Sequence, residues 1–232
     1  MRIEILADAD QVAHRAAEFI AAEAHAAAKA RGRFLLAISG GHTPWDMLSA
    51  LADLQVPWTA LHLFQVDERA APAGDPDRNL THIRESLLSK VVLAPGHLHP
   101  MPVEERDLTA ATARYTRELA SVAGTPPVLD LVHLGLGPDG HTASLVPGDP
   151  VLDIMSDDVA LTGVYQGRRR MTLTFPILDR ARRVIWLVTG SEKIEMLARL
   201  RNADRSIPAG RVRQDQALIL ADQAAAGSLG PK

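Results

Sequence analysis

Residues 33–39, RFLLAIS, do not alternate: five apolar side chains stand in succession before the pair Gly40 and Gly41. A strand with one wet face alternates apolar and polar residues, whereas an unbroken apolar run has to be covered on both faces, as in a parallel sheet between helix layers. Similar runs recur in LHLFQV (61–66), LDLVHLGLG (129–137), RRVIWLVTG (182–190) and QALILAD (216–222), with amphipathic stretches between them. Strands alternating with helices predict an α/β fold: three layers, a mostly parallel sheet with helices on both faces. The chain has 232 residues, enough for one sizeable core, and no linker rich in glycine or serine, so 1–232 reads as a single domain. Proline-rich stretches at 94–102 and 147–150 look like insertions that could border a small α/β subdomain.

Local signals fill in the elements. RIEIL opens as a strand, and Asp8 or Asp10 can cap an alanine-rich helix with Val12, Ala16, Phe19 and Ile20 on one face, ending near Gly32. Thr43 as a cap and Pro44 at the first helical position would start the next helix. DERAAPAGDPDRN (67–79) reads as a polar loop and NLTHIRESLLSK (79–90) as a helix. A further amphipathic helix is expected from about Thr109 to Val122, a strand in RRMTLTF (169–175), and a helix in SEKIEMLARL (191–200).

Charge and cysteine content exclude several function classes. Lysine and arginine total 25 against 28 acids, a net charge of -3, so nothing advertises nucleic acid or a membrane surface. The chain has no cysteine, which rules out disulfides and thiolate chemistry. The opening MRIEILADAD has no apolar run of signal-peptide length, which makes the cytoplasm the expected location.

In open parallel sheets ligands bind beyond the carboxyl ends of the strands. That rule selects SGGHTP (39–44), DER (67–69), GLGPDGHTAS (135–144) and TGSEK (189–193). The third contains G-x-G-x-x-G, but Pro147, Gly148 and Pro150 leave a helix starting at His141 a turn or two, too short for a dinucleotide site. There remains a strand-end turn presenting Asp139 and His141. The histidine is either a general base with Asp139 beside it or a cap on that short helix.

In SGGHTP, backbone N–H groups at a helix start suit a phosphate, and the hydroxyls of Ser39 and Thr43 could add to them. An ordinary capped turn is the plainer alternative. Lys193 falls in the first turn of its helix, where a cation is disfavoured unless an anion is near. Asp67, Glu68 and Arg69 read either as a solvated tip or as a carboxylate and guanidinium for sugar hydroxyls and developing negative charge. One arginine of Arg168 to Arg170 could reach an anion. His97 and His99 have no evident third ligand, so no metal is expected, and His133 reads as a core residue.

The segments LAISGGHTP, FQVDER, DRNL, LVHLGLGPDGHTASLVPG, MTLTFPIL and WLVTGSEK together resemble, in order and approximate spacing, the 6-phosphogluconolactonases of the glucosamine-6-phosphate isomerase/6-phosphogluconolactonase family. The resemblance runs over nearly the whole chain. It implies a fold shared with glucosamine-6-phosphate deaminase and ribose-5-phosphate isomerase. It also implies hydrolysis of 6-phospho-D-glucono-1,5-lactone to 6-phosphogluconate in the oxidative pentose phosphate pathway, with no metal or organic cofactor. By the same resemblance His141 would be the general base and Asp139 its orienting partner. Asp67 and Arg69 would contact the lactone or its oxyanion, and Asn79 would support the site loop. Gly40, Gly41 and Thr43 would hold the phosphate, helped by Lys193 and by Arg169 or Arg170. His42 in the glycine loop and LVPG in place of the commoner LFPG are mild departures.

The expected partner is a small sugar-phosphate lactone, with no nucleic acid and no membrane, the protein being a monomer or weak homodimer. Two rivals are a sugar-phosphate isomerase or deaminase and a noncatalytic sugar-phosphate sensor on the same scaffold.

Overall fold

Each long apolar run becomes a strand of one central sheet. The structure, a computed structural model, describes residues 1–227. Its strands are β1 (Arg2–Leu6), β2 (Phe34–Ile38), β3 (Leu61–Gln65), β4 (Asp67–Arg69), β5 (Leu98–His99), β6 (Leu131–Gly135), β7 (Val159–Leu161), β8 (Arg170–Leu173), β9 (Arg183–Val188) and β10 (Ala217–Asp222). Its helices are α1 (Ala9–Arg31), α2 (His42–Ala52), α3 (Asn79–Ile83), α4 (Leu108–Ala123), α5 (Phe175–Arg180), α6 (Ile194–Arg201), α7 (Pro208–Arg211) and α8 (Gln223–Ala226). Seven strands form a parallel sheet in the order β1-β10-β9-β6-β2-β3-β5.

Burial on both faces explains why the runs do not alternate. Phe34, Leu36 and Ile38 pack in one core with α1 and α2, while Leu35 and Ala37 on the other face pack with Tyr115 of α4. From β2 the chain builds outward through β3 to β5, then returns to lay β6 on the other side of β2 and continues through β9 to β10. The loops after β2 and β6 therefore diverge, and the crevice between them is where this class of sheet binds ligands.

The helix starts differ in detail from the sequence expectation. Asp8 does cap α1, accepting from the Gln11 backbone N–H at 2.8 Å, and Gly32 closes its C-terminus. Phe19, however, is only half-buried, beside the fully buried Val12, Ala16 and Ile20. Gly41, not Thr43, is the N-cap of α2, so Pro44 stands at the third helical position, still within the turn whose N–H groups have no intrahelical acceptor. The Thr43 hydroxyl instead meets Thr189 Oγ1 at 2.9 Å.

The very short elements were not visible in the sequence. Residues 67–69, expected as the start of a loop, are a strand: β4, β8 and β7 make a separate three-stranded antiparallel sheet. That sheet contributes Val159, Met171 and Leu173 to the same core as Tyr115. Backbone hydrogen bonds from Val66 N to Ile38 O (2.9 Å) and from Leu173 N to Val66 O (2.8 Å) tie the sheets together. The helix expected over 79–90 runs as α3 and then widens into a π turn at Arg84–Leu88. No helix forms at His141: residues 138–149 are tight turns with an isolated bridge between Thr142 and Leu145. Among the described residues no helix is long and apolar enough to cross a membrane.

Candidate active site

The end of β6 makes a turn shaped around one imidazole. Gly137 N donates to His141 O at 2.8 Å and Gly140 N to Gly137 O at 3.0 Å, folding the segment back on itself. The His141 ring lies so close to Gly137 that a Cβ there would sit 2.1 Å from Nδ1, so only glycine fits. His141 Nδ1 is 2.5 Å from Asp139 Oδ1, which also accepts from the His141 backbone N–H at 3.1 Å. A carboxylate only accepts, so Nδ1 carries the proton and the Nε2 lone pair is left for chemistry. Partial burial would push the Asp139 carboxyl up, but the backbone hydrogen bond, charge and ring hydrogen bond of His141 outweigh it and hold it below the usual carboxylate value.

Opposite stands the DER strand, organised by a residue that touches no cavity. Glu68 is fully buried and accepts from Gln65 Nε2 (2.8 Å), Arg69 N (2.9 Å), Asn79 N (2.8 Å) and Leu80 N (2.9 Å), with Arg78 Nε at 3.1 Å. It thereby fastens β4 to the start of α3 and saturates the first N–H groups of that helix. Asn79 is then placed to accept from Arg69 Nη1 at 3.0 Å and to donate to Asp67 O at 2.9 Å. A Cβ on Gly40 would lie 2.0 Å from Asn79 Oδ1, which accounts for a glycine at this crossing of loops. Asp67 Oδ2 accepts from Ser144 Oγ at 2.6 Å, joining the DER strand to the HTAS turn.

Between these walls lies a cavity of about 210 Å³. Of the expected residues, Ser39, Gly40, Asp67, Arg69, Asn79, His141, Arg170 and Lys193 line it together. Asp139 stands behind His141. Asp139, Gly41, Thr43 and Arg169 are not among the lining residues; Asp139 reaches the site through its hydrogen bond to His141. Neighbouring side chains of an extended segment point to opposite faces, so Arg170 turns inward, 5% exposed, and Arg169 turns out to solvent. Arg168 pairs with Asp75 (3.1 Å) and Asp77 (3.0 Å) instead.

The cavity is rich in unneutralised donors. Arg69 Nε and Arg170 Nε are buried and have no hydrogen-bond acceptor among the described residues. Burial lowers the Arg170 value, with the Arg69 charge acting the same way and Asp67 opposing both. Two guanidinium groups and the Lys193 ammonium around one small space favour an anion. No group of three or more histidine or acidic side chains among the described residues could hold a metal ion.

Residues 7–220 match the family model described as glucosamine-6-phosphate isomerases/6-phosphogluconolactonase. The chain belongs to this family. It is 35% identical to a 6-phosphogluconolactonase of Synechocystis over 99% of each chain, and 37% identical to one of Mycobacterium tuberculosis over 98% of each. The crystal structure of the 6-phosphogluconolactonase of Thermotoga maritima superposes with a TM-score of 0.85 at 28% identity, covering 95% of this chain and 98% of that one.

Within this family member, three site-building residues escaped sequence reasoning. Glu68 was read with its neighbours as part of a charged tip, although an acid next to a helix start with Arg78 and Asn79 downstream was a usable signal. Ser144 gives no hint in sequence of Asp67, 77 positions away. Tyr165 stands in the hairpin between β7 and β8, its ring in a T-shaped contact with that of His141. His133, expected in the core, is fully buried; its Nδ1 accepts from Ser39 N at 3.3 Å, while its Nε2 has no partner among the described residues.

Proposed function

We propose that this protein hydrolyses 6-phospho-D-glucono-1,5-lactone to 6-phospho-D-gluconate, the lactone-opening step of the oxidative pentose phosphate pathway. The observation that carries the proposal is the pairing, in one cavity, of an Asp139-bonded imidazole with two guanidinium groups, each with a buried Nε–H that has no acceptor among the described residues. An uncharged ester would use the first and leave the second unsatisfied; a phosphorylated lactone uses both.

In the mechanism we infer, His141 Nε2 takes a proton from a water molecule as its oxygen attacks the C1 carbonyl. Asp139 keeps the ring in the required tautomer and balances the imidazolium that forms. Negative charge develops on the carbonyl oxygen and is met by Arg69 and neighbouring backbone N–H groups. The tetrahedral intermediate collapses by breaking the bond from C1 to the ring oxygen, which leaves as the C5 hydroxyl with the proton from His141. Arg170, Lys193 and the Ser39 and Gly40 loop hold the phosphate. A lactone is already an activated ester, so no step calls for a covalent nucleophile or a metal.

We also read 1–232 as one domain working in the cytoplasm, since the small sheet shares its core with the large one and a cysteine-free chain suits a reducing compartment. The deciding measurement is proton release from freshly generated 6-phosphogluconolactone, corrected for spontaneous opening, with glucosamine 6-phosphate and ribose 5-phosphate run alongside. Turnover of the lactone alone is expected. A rate equal to the uncatalysed background would reject the proposal.

A further inference from the structure

The hairpin between β7 and β8 is closed by reciprocal backbone hydrogen bonds of Tyr165 with Arg168, at 3.0 and 3.2 Å. Its tip stands beside two residues that line the cavity, His141 and Arg170. Arg168 anchors it to the loop beyond β4 through Asp75 and Asp77, so the tip is held from the DER side. From this perch Tyr165 touches both functional halves of the site. Its ring and that of His141 are steeply inclined to each other, centroids 5.6 Å apart and planes at 66°. The Arg170 guanidinium lies over its face, 5.0 Å from the centroid, while Gln166 Oε1 accepts from Arg170 Nη2 at 3.1 Å. The phenol oxygen is 3.5 Å from Asp139 Oδ2, the carboxylate oxygen that His141 does not use.

We propose that Tyr165 is a positioning residue of this site, linking the Arg170 guanidinium to the Asp139 and His141 pair so that an anion seated on the first fixes the orientation of the second. A guanidinium prefers the electron-rich face of an aromatic ring and an imidazole packs well against such a ring in a T-shaped arrangement, so one ring sets the spacing between them. The hydroxyl is a donor throughout the neutral range, because burial and then the Asp139 charge push the phenol above its ordinary value, more than Arg170 lowers it. Arg170 is thereby kept from closing directly onto Asp139, where an ion pair would compete with the substrate anion for the guanidinium and with His141 for the carboxylate.

The kinetic part of the test rests on the lactonase reading; the binding part does not. Tyr165→Leu removes ring and hydroxyl, and Tyr165→Phe removes the hydroxyl alone. For Tyr165→Leu we expect kcat to fall about tenfold and KM to rise about threefold, with an unchanged thermal midpoint and a shifted acid limb of kcat/KM. Tyr165→Phe should stay within about threefold in kcat and twofold in KM.

In parallel, inorganic phosphate is titrated while the His141 imidazole resonances are followed by NMR. Phosphate should move them in the wild type and in Tyr165→Phe, and move them less than half as far in Tyr165→Leu. Equal responses in the wild type and Tyr165→Leu would overturn the proposal, as would a Tyr165→Leu enzyme with wild-type kcat, KM and pH profile. A wild type without lactonase activity whose phosphate response still depends on Tyr165 would reject the function and leave the link standing. Should Tyr165→Leu not fold, Tyr165→Phe and Tyr165→Trp decide: retained phosphate coupling supports the ring's role, and coupling lost in both overturns it.

Discussion

His141 and His133 are eight positions apart on one strand and the turn that follows it, yet their surroundings oppose each other. His141 has a carboxylate at 2.5 Å and an open ring edge; His133 is sealed in the core, where burial lowers its value from about 6.5 to about 3. Only the first lines the cavity, where the proposed mechanism needs a proton acceptor. His141→Ala is expected to keep the fold and lose 10²–10⁴-fold in kcat/KM in the proton-release assay, and Asp139→Asn to lose about 10²-fold by spoiling the tautomer. An alanine enzyme at wild-type rate would remove histidine from the mechanism.

The resemblance of DGHTAS to a lactonase segment pointed to His141, and its strand-end place in the sequence agreed. What the sequence could not distinguish was Arg169 from Arg170. Side-chain direction there depends on the pleat of β8, and so on its pairing with β4, a partner about 100 residues away. Glu68 was hidden for a related reason. A buried acid receiving four hydrogen bonds from protein donors and a solvated acid are the same letter.

At the scale of elements, long apolar runs announced β2, β3, β6, β9 and β10, whereas β4, β5 and β7 span two or three residues and have no periodicity to read. Such strands exist because tertiary neighbours pair with them. The short helix α3 is a similar case, five residues that could not persist alone. Glu68 supplies what it lacks. Glu68→Ala would orphan the buried donors of Gln65, Arg69, Asn79 and Leu80 and leave Arg78 with Glu104 as its carboxylate partner. It is expected to cost about 3–5 kcal/mol in urea unfolding, with Arg69 and Asn79 loosened and activity reduced. A loss below about 1 kcal/mol would contradict this role.

Two interior strands, β3 and β6, also predict an acid response. On β3, His62 is lowered to about 4 by burial and then by the charges of His97, His99 and Arg33. Both His62 and His133 have folded values below their unfolded ones. The unfolded chain therefore takes up protons first, and their stabilisation is complete above about pH 6.5 and drains away as pH falls toward 4. The urea midpoint should decline between pH 7 and 5, before most carboxylates titrate, and His133→Gln should flatten the decline. A midpoint constant over that range would refute the assignment.

At the scale of the molecule, the three-layer architecture was legible because it depends on a coarse property, apolar cover on both faces of a sheet. The position of the cavity needed the strand order, which brings the β2 and β6 loops together although 92 residues separate Ile38 from Leu131 in the chain. Because the cavity draws residues from both sides of that divide, a bound ligand stabilises the whole fold by mass action. At 100 times its Kd, 6-phosphogluconate should add about 2.7 kcal/mol, seen as a raised thermal midpoint, and no shift at saturation would place the product elsewhere.

The divide itself is thinly laced. Two residue pairs join β2 to β6, against five joining β2 to β3 and five joining β6 to β9. Across it reach the hydrogen bonds of Ser39 to His133 and of Leu35 N to Asp130 Oδ2, the latter at 2.9 Å. A lactone spanning from the Ser39 loop to His141 would act as one more rivet over this seam, so hydrolysis, by releasing its product, would also let the two half-sheets breathe again before the next substrate enters.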